Sequence, residues 1–228
     1  MNILVVAAHP DDEVLGCGGA IAKHIQQGDK VHILILAEGV TSRKSERNRD
    51  DFQAELSALE IVANKVSHLL GVSSLSMHDF PDNRMDSCEL LDIVKFIEKS
   101  IEQYQPQIIY THHSGDVNID HRCIHQAVVT ACRPIPNHPV HTLLFFEIPS
   151  STEWQTPSSA VPFTPNWFVD ISETLVLKLE ALEAYESEMR SYPHPRSLEA
   201  VEYLARWRGA TIGVKAAEAF MLGRHSIR

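Results

Sequence analysis

One histidine and three acids stand together near the start of the chain, directly after the apolar run NILVVAA (2–8). They are His9, Asp11, Asp12 and Glu13. Carboxylates this close repel one another, so we expect a positive charge among them. A metal ion would supply that charge, because histidine and aspartate are common ligands of zinc.

A second polar cluster lies in the sequence THHSGDVNIDHR (111–122), which holds three histidines and two aspartates. A single one of these residues would be an ordinary polar loop residue. Two histidines and one carboxylate, with a position left for water, form a ligand set of catalytic zinc. His9, Asp12 and a histidine of the second cluster would provide it, so the two clusters together favour a metal hydrolase.

Three other kinds of site explain these residues less well. A dinucleotide-binding loop needs GxGxxG after the first strand, but Ile21 stands where the third glycine belongs. A nucleotide phosphate loop needs GK[ST], which the sequence lacks. A two-carboxylate glycosidase could use Asp11 and another acid, but it leaves His9 and His121 without a role.

Strand and helix patterns alternate along the chain and explain how two distant clusters can meet. Apolar runs predict strands at 2–8, 30–38, 72–80, 106–113 and 141–148, and helical patterns cover 13–27, 46–64, a segment capped by Asp86, and 120–132. This alternation predicts an α/β fold, a Rossmann-like, mostly parallel sheet with helices on both faces, in a single domain over 1–228. Ligands bind beyond the carboxyl ends of strands in such sheets, where both clusters are expected.

The last third of the chain shows a loop pattern followed by two helix patterns. Residues 149–166 are rich in Pro, Ser and Thr and predict a long surface loop. Two helices are predicted after it, at about 172–190 and 197–208, joined by SYPHPRS (191–197).

Composition restricts the partners and the compartment. The formal net charge is −10, which argues against nucleic acid or an anionic membrane as the main partner. No apolar run reaches the roughly 18 residues of a membrane span, and the N-terminal pattern is that of a strand, so we expect no signal peptide. Four cysteines without a CxxC pair predict reduced thiols in a cytoplasmic protein.

The two motifs AHPDDEVLGCGG and THHSGDVNIDHR together resemble the PIG-L/LmbE-like zinc deacetylases, which remove N-acetyl groups from GlcNAc-containing and related amino-sugar compounds. FPDNRMD (80–86) is similar to the family's loop after the third strand, and the tail from 178 to 220 is similar to the C-terminal region of one branch. The resemblance implies a zinc-dependent N-deacetylase. An O-acetyl or other N-acyl hydrolase, or a metal-containing carbohydrate-binding protein without turnover, remains an alternative.

Residue by residue, the resemblance implies one Zn²⁺ per chain held by His9, Asp12 and His121, with Asp11 as the general base. Zinc lowers the pKa of its water to about 7 and polarises a carbonyl. Asp11 would take the proton of the attacking water, and a further group would stabilise the oxyanion and protonate the leaving amine.

One position departs from the family pattern. Members that act on GlcNAc-inositol or GlcNAc-malate compounds typically carry a histidine three residues before the third ligand, where it assists the oxyanion, but Asn118 stands there in this sequence. Asparagine can donate a hydrogen bond but cannot transfer a proton. We therefore predict that His194, held between two prolines in SYPHPRS, supplies the missing acid. The resemblance also implies a homo-oligomer, a trimer or hexamer, in which His194 could act from a second chain.

The remaining predicted site residues support the ligands or face the substrate. Asp116 and Asp120 are predicted to orient histidines, with helix capping as the alternative. Of His112 and His113, His112 is predicted to face the site and His113 the solvent. The resemblance implies substrate contacts for Arg49 and Asp82, with surface salt bridges as the alternative. Arg196 is predicted to bind a carboxylate or phosphate of the substrate.

Overall fold

The computed structural model describes residues 1–156 and 160–227. Within them seven strands form one sheet: β1 (Asn2–Ala7), β2 (Lys30–Ala37), β3 (Ser74–Phe80), β4 (Ile108–His112), β5 (Thr142–Phe146), β6 (Trp167–Asp170) and β7 (Ala217–His225). The helices that accompany them are α1 (Asp12–Gln26), α2 (Gln53–Leu70), α3 (Leu90–Tyr104), α4 (Ile119–Ala131), α5 (Leu175–Ala184) and α6 (Leu198–Ile212).

The strand order in the sheet is β3-β2-β1-β4-β5-β7-β6. The first five strands pair in parallel, and β7 pairs antiparallel with both β5 and β6. None of the helices in the described ranges is both long and apolar enough to cross a membrane. The mostly parallel sheet predicted from the sequence is therefore confirmed.

Strand β1 is central and is covered on both faces. Ile3 and Val5 pack into the same core cluster as residues of α1, α2 and α5. Leu4 and Val6 pack on the opposite face with residues of α3 and α4. A strand buried on both sides requires a continuous apolar run, which explains the run at the start of the chain. The predicted layers of helices on both faces are confirmed.

Several predicted boundaries were wrong. The helix predicted at 46–64 begins at Gln53 and ends at Leu70, because residues 49–52 form a 3₁₀ turn instead. The helix predicted to be capped by Asp86 begins after Glu89. The first C-terminal helix covers only 175–184, and turns follow it.

The two strands β6 and β7 were missed. Strand β6 has only four residues, all half-buried, so neither its length nor its pattern separates it from the predicted loop at 149–166. Residues 157–159 of that loop lie outside the described residues. Strand β7 follows α6 closely after Gly213, which closes the helix with a φ of 79°, and it pairs antiparallel with β5.

Helix α1 is kinked, and the kink is held by a buried ion pair. Cys17 has non-helical dihedral angles, φ −151° and ψ 24°. The carboxylate of Glu218 accepts the N–H groups of Gly19 (2.9 Å) and Ala20 (2.7 Å), which lie just beyond the kink. The ammonium of Lys178 bridges Glu218 (2.6 Å) and the carbonyl of Leu15 (2.9 Å). Strand β7 and helix α5 thus anchor the helix whose first turn carries the acids.

Candidate metal centre and active-site cleft

The two predicted clusters meet where β1 and β4 end. These strands are hydrogen-bonded neighbours, so their carboxyl ends lie side by side. His9 and Asp12 follow β1, His112 ends β4, and His121 stands in the first turn of α4. The parallel topology therefore brings together residues that are more than 100 positions apart.

His9, Asp12 and His121 converge on one point. Asp12 Oδ2 lies 3.2 Å from His9 Nδ1 and 3.2 Å from His121 Nε2. One candidate ligand atom from each residue lies within 4.8 Å of the others. Within the described residues, the buried atoms Asp12 Oδ1 and His121 Nε2 make no hydrogen bond of acceptable geometry. Buried polar atoms are normally satisfied, so these residues fit a zinc ion, which takes nitrogen and oxygen ligands at about 2.0–2.2 Å.

A carboxylate contacts the other ring nitrogen of each histidine. Asp120 Oδ2 lies 3.0 Å from His9 Nε2, and Asp116 Oδ2 lies 3.1 Å from His121 Nδ1. Such carboxylates fix the orientation and tautomer of a ligand histidine. The arrangement has the geometry predicted for Asp116 and Asp120.

Both carboxylates are themselves fixed. Asp120 accepts the main-chain N–H groups of Asn83 (2.6 Å) and Met85 (3.0 Å). Asp116 accepts the hydroxyls of Ser151 and Thr152, the latter at 2.7 Å. The loop after β5, which the sequence pattern describes only as a surface loop, thus reaches the candidate metal centre.

The charges at this centre compensate one another. Burial disfavours the imidazolium form, yet the carboxylates of Asp12 and Asp116 raise the pKa of His121 to about 9. Burial likewise opposes a charge on His9, but hydrogen bonds to Asp12, Asp120 and Asp82 raise its pKa. Despite its burial, Asp12 has a lowered pKa because His121 and His9 stand beside it. The surrounding carboxylates thus favour a positive charge at this centre, which a bound cation could supply in place of the protons on the histidines.

His112 supports the centre from the end of β4. Its Nε2 accepts the N–H of Ala8 at 2.8 Å, and its ring stacks on His121 with centroids 3.9 Å apart. Burial and the neighbouring charge of His121 lower its pKa, which favours the neutral form. The expectation that His113 faces solvent was wrong, because it is 1% exposed and its Nε2 contacts the carbonyl of Val161 at 2.8 Å.

Asp11, the predicted base, is buried beside the candidate metal ligands and lines a cleft. Its Oδ2 accepts a hydrogen bond from Arg196 Nη1 at 3.0 Å. Burial raises the pKa of the carboxyl to about 8 against the opposing effect of the Arg196 guanidinium. A cation held at the neighbouring ligands would add to that effect and favour the carboxylate.

The cleft has a volume of about 120 Å³ and a mostly polar lining, which includes His9, Asp11, Asp82, Asn118 and Arg196. Asp82 Oδ1 lies 3.3 Å from His9 Nε2. Burial opposes ionisation of Asp82, but His9 and the amide of Ser42 lower its pKa. Asn118 Oδ1 caps α4 by accepting the N–H of Asp120 at 2.8 Å. The Asn118 oxygen is therefore occupied, and its NH₂ group remains as the donor on this side of the cleft.

His194 follows α5 in the same segment as Arg196. Its Nδ1 accepts the N–H of Arg196 at 3.1 Å, and its ring meets the edge of Trp154 with centroids 5.6 Å apart. Among the described residues that line the cleft, Arg196 is present and His194 is not. Arg196 contacts Asp11, whereas the sequence pattern predicted a substrate anion as its partner.

Two arginines of the loop after β2, Arg43 and Arg49, line different depressions of the surface. Arg49 binds Glu38 (2.9 Å) and Asp79 (3.0 Å) and lines a separate depression. Arg43 lines the cleft instead and pairs with Glu188 at 3.0 Å. Sequence reasoning missed Arg43 and Glu188, and the basic run at 42–49 was the signal that could have pointed to Arg43.

Glu13, the third acid of the first motif, also received no role from the sequence. Its Oε2 accepts the N–H of Asp11, and its Oε1 accepts the hydroxyl of Tyr185. Burial raises the pKa of Glu13 to about 7, against the effect of the Tyr185 hydroxyl. The sequence offered no signal for Tyr185, whose helical pattern predicts only a core residue.

The fold and the strand-end clusters define an α/β protein with a candidate metal site in a polar cleft. Within that class the chain belongs to the PIG-L family: the family model described as GlcNAc-PI de-N-acetylase matches residues 4–132, more than half of the chain and both motifs. The resemblance carried by the two motifs is confirmed.

Comparison with curated proteins finds deacetylases. The chain is 29% identical to the uncharacterized deacetylase YaiS of Escherichia coli K12, covering 82% of this chain and 91% of the relative. It is 24% identical to the probable N-acetyl-alpha-D-glucosaminyl L-malate deacetylase 2 of Bacillus anthracis, covering 90% and 92%. Homologues of this chain thus include deacetylases of GlcNAc-type compounds.

Among solved structures, the fold matches GalB, the 4-carboxy-2-hydroxymuconate hydratase of Pseudomonas putida KT2440, with a TM-score of 0.77. That likeness covers 100% of this chain and 98% of GalB at 22% sequence identity, and it concerns the fold alone. The same fold therefore carries more than one chemistry, and the side chains of the site determine which one.

Proposed function

We propose that this chain is a zinc-dependent N-deacetylase that hydrolyses the N-acetyl group of a small GlcNAc-type glycoside or nucleotide sugar. The observation that carries the proposal is the convergence of His9, Asp12 and His121, with unsatisfied buried atoms, beside Asp11 on a polar cleft. Its setting in a PIG-L family chain with deacetylase relatives supports the same reaction.

His9, Asp12 and His121 are the residues that would hold the ion. A bound Zn²⁺ would supply a Lewis acid that polarises the acetyl carbonyl and lowers the pKa of a water to about 7. Asp120 and Asp116 would keep the two imidazoles in the ligand orientation.

Asp11 is the general base in this proposal. Its carboxylate accepts a proton from the water as the water oxygen bonds to the acetyl carbon. Arg196 and a cation at the neighbouring ligands would together favour the ionised form of Asp11 between substrates. When the C–N bond breaks, acetate and the free amine leave, and the amine nitrogen takes up a proton.

Two residues are proposed for the oxyanion and the leaving amine. Asn118 donates from its NH₂ group to the oxygen that becomes negative, because its carbonyl oxygen already caps α4. His194 protonates the amine from Nε2 of its imidazolium form and later regains that proton from solvent. In the neutral ring left after the transfer, Nδ1 accepts the N–H of Arg196. His194 can act within its own chain or from a neighbouring subunit.

The cleft favours a small polar substrate. A sugar offers hydroxyls that Asp82 and Arg196 can bind, and Arg43 at the cleft adds a cation for an acidic substituent. Arg49 stays a predicted contact of the sugar or its aglycone, and its ion pairs with Glu38 and Asp79 correspond to the alternative role of a surface salt bridge.

We further propose a cytoplasmic homo-oligomer, a trimer or hexamer. Cys17, Cys88, Cys123 and Cys132 are all free thiols, which supports a reducing compartment. The exposed aromatic side chains of Tyr203 and Trp207 on α6 support assembly. Mass photometry of the purified chain tests the oligomer.

Acetate release tests the reaction. The zinc-loaded protein is incubated with N-acetylglucosamine, N,N′-diacetylchitobiose, N-acetylglucosaminyl-malate and an O-acetylated sugar, and acetate and free amine are measured. Equal amounts of acetate and amine from an N-acetyl compound are expected. Acetate from the O-acetyl compound alone would support an esterase, and binding without acetate release would support a carbohydrate-binding protein.

A further inference from the structure

The main chain at Asp11 has a conformation that residues with a side chain rarely adopt. Its φ is 118° and its ψ is −31°, directly before the first residue of α1. A backbone of this kind persists only where neighbouring groups hold it. The direction of the Asp11 carboxylate depends on this main chain.

The carboxylate of Glu13 folds back onto this strained residue. Glu13 Oε2 accepts the N–H of Asp11 at 3.0 Å, and Oε1 accepts the hydroxyl of Tyr185 at 2.7 Å. Glu13 is 2% exposed and Tyr185 is 1% exposed. Each carboxylate oxygen is therefore engaged, one on the main chain of Asp11 and the other on the residue that ends α5.

Packing alone does not explain this pair. Burying a carboxylate costs free energy, and apolar side chains would fill the same space at a lower cost. Tyr185 also begins the segment that carries Arg196, whose guanidinium binds the Asp11 carboxylate. The end of α5 and the segment after it thus hold Asp11 twice, through its main chain and through its side chain.

We propose that Glu13 and Tyr185 are positioning residues, whose hydrogen bonds fix the Asp11 main chain so that its carboxylate faces the cleft. The proposal rests on the proposed function, in which Asp11 is the base. Neither residue lines the cleft among the described residues. Their loss should therefore lower kcat and leave KM unchanged.

Two substitutions of Glu13 separate hydrogen bonding from packing. Glu13→Met keeps an unbranched side chain of similar length but removes both acceptors. We expect kcat to fall about 10- to 100-fold with KM within about twofold, the scale of a misplaced reacting group. In Glu13→Gln the amide oxygen can accept the Asp11 N–H and the NH₂ group can donate to Tyr185, so we expect kcat within about threefold of the parent.

Two tyrosine variants provide the matched comparison. Tyr185→Phe removes only the donor to Glu13 and should lower kcat. Tyr110→Phe removes another buried hydroxyl, which contacts His24 Nε2 at 3.0 Å and does not line the cleft, and should leave kcat unchanged. All variants are assayed on the panel compound that the parent turns over fastest, with zinc content and Tm measured for each.

The Asp11→Asn background shows whether Glu13 acts through Asp11. If it does, Glu13→Met adds no further loss to the residual rate of Asp11→Asn. The proposal is overturned if Glu13→Met slows both backgrounds equally, or if Glu13→Gln is as slow as Glu13→Met.

A readout without substrate completes the test. Hydrogen exchange of the Asp11 amide, followed by NMR in the zinc-loaded protein, should accelerate about tenfold or more in Glu13→Met and stay slow in Glu13→Gln. The amide of Val5 in β1 is the internal reference. Unchanged exchange at Asp11 overturns the positioning role even if no panel compound reacts. Faster exchange in a protein that releases no acetate would overturn only the proposed function.

Discussion

The guanidinium of Arg196 lies 3.0 Å from Asp11 Oδ2, although the two residues are 185 positions apart. The Asp11 side chain is 2% exposed and that of Arg196 is 22% exposed. A buried carboxylate next to Asp12 needs a cationic partner, and the segment between α5 and α6 supplies it. This segment is therefore part of the candidate active site.

Replacing this arginine should affect both rate and stability. In Arg196→Gln the Asp11 carboxylate loses its charged donor, so we expect turnover to fall about 10- to 100-fold and the free energy of unfolding to fall by roughly 1–3 kcal/mol. Assays of acetate release and urea unfolding measure the two effects. The control is Arg206→Gln, which breaks an exposed pair with Glu202 and should change stability by less than about 1 kcal/mol. Equal effects of the two substitutions would contradict the role of Arg196.

The variant Asp11→Asn tests whether Asp11 is the base and Asp12 the metal ligand. The amide keeps the size of the side chain but cannot take a proton. Zinc content should be unchanged, and turnover should fall about 10²- to 10⁴-fold, the scale of general base catalysis. Loss of zinc would mean that Asp11 and Asp12 have exchanged roles, and an unchanged rate would place the base elsewhere.

The variants His194→Ala and Asn118→Ala test two separate roles. His194 is proposed to protonate the leaving amine, and Asn118 is proposed to stabilise the oxyanion. Both variants should retain zinc, because neither residue belongs to the ligand set. We expect His194→Ala to lose more turnover for substrates with a poor leaving amine, since protonation then limits the rate, and Asn118→Ala to slow all substrates alike. A fully active His194→Ala enzyme would remove His194 from the mechanism.

The anchor of the kinked helix α1 predicts a stability effect away from the cleft. Lys178 and Glu218 have side chains that are both 4% exposed. Glu218→Ala leaves the ammonium buried without its partner, and two amides of α1 lose their acceptor. The free energy of unfolding should fall by roughly 3–5 kcal/mol in a urea titration. The control is Glu202→Ala, which removes the partner of the exposed Arg206. If Glu218→Ala lowered the free energy of unfolding as little as Glu202→Ala, this account of the kink would be contradicted.

Local sequence pattern was sufficient for the central part of the fold. The apolar run of β1 and the cluster after β4 predict a parallel sheet, and the parallel ends bring His9 and His121 together. The contacts of Asp116 and Asp120 with the candidate ligand histidines could be expected for the same reason, because both acids stand close to His121 in sequence.

The contacts that depend on loop geometry could not be predicted. The pairing of Arg196 with Asp11 depends on how the segment after α5 turns over the cleft, and no local pattern encodes that path. The contact between Tyr185 and Glu13 is of the same kind, since helical periodicity marks Tyr185 only as buried. The choice of Arg43 over Arg49 for the cleft depends on the turns that replace the predicted start of α2.

Stepwise addition of zinc to metal-free protein tests the central claim most directly. Metal is removed with a chelator, Zn²⁺ is added in fractions of one equivalent, and acetate release from the best N-acetyl substrate is measured at each step. The account predicts that the rate rises in proportion to zinc and stops rising at one ion per chain, and that His9→Ala and His121→Ala bind little zinc and stay inactive. His32→Gln, at the opposite end of the sheet, should behave like the parent. Full activity of the metal-free protein, or one tightly bound zinc in both ligand variants, would contradict it.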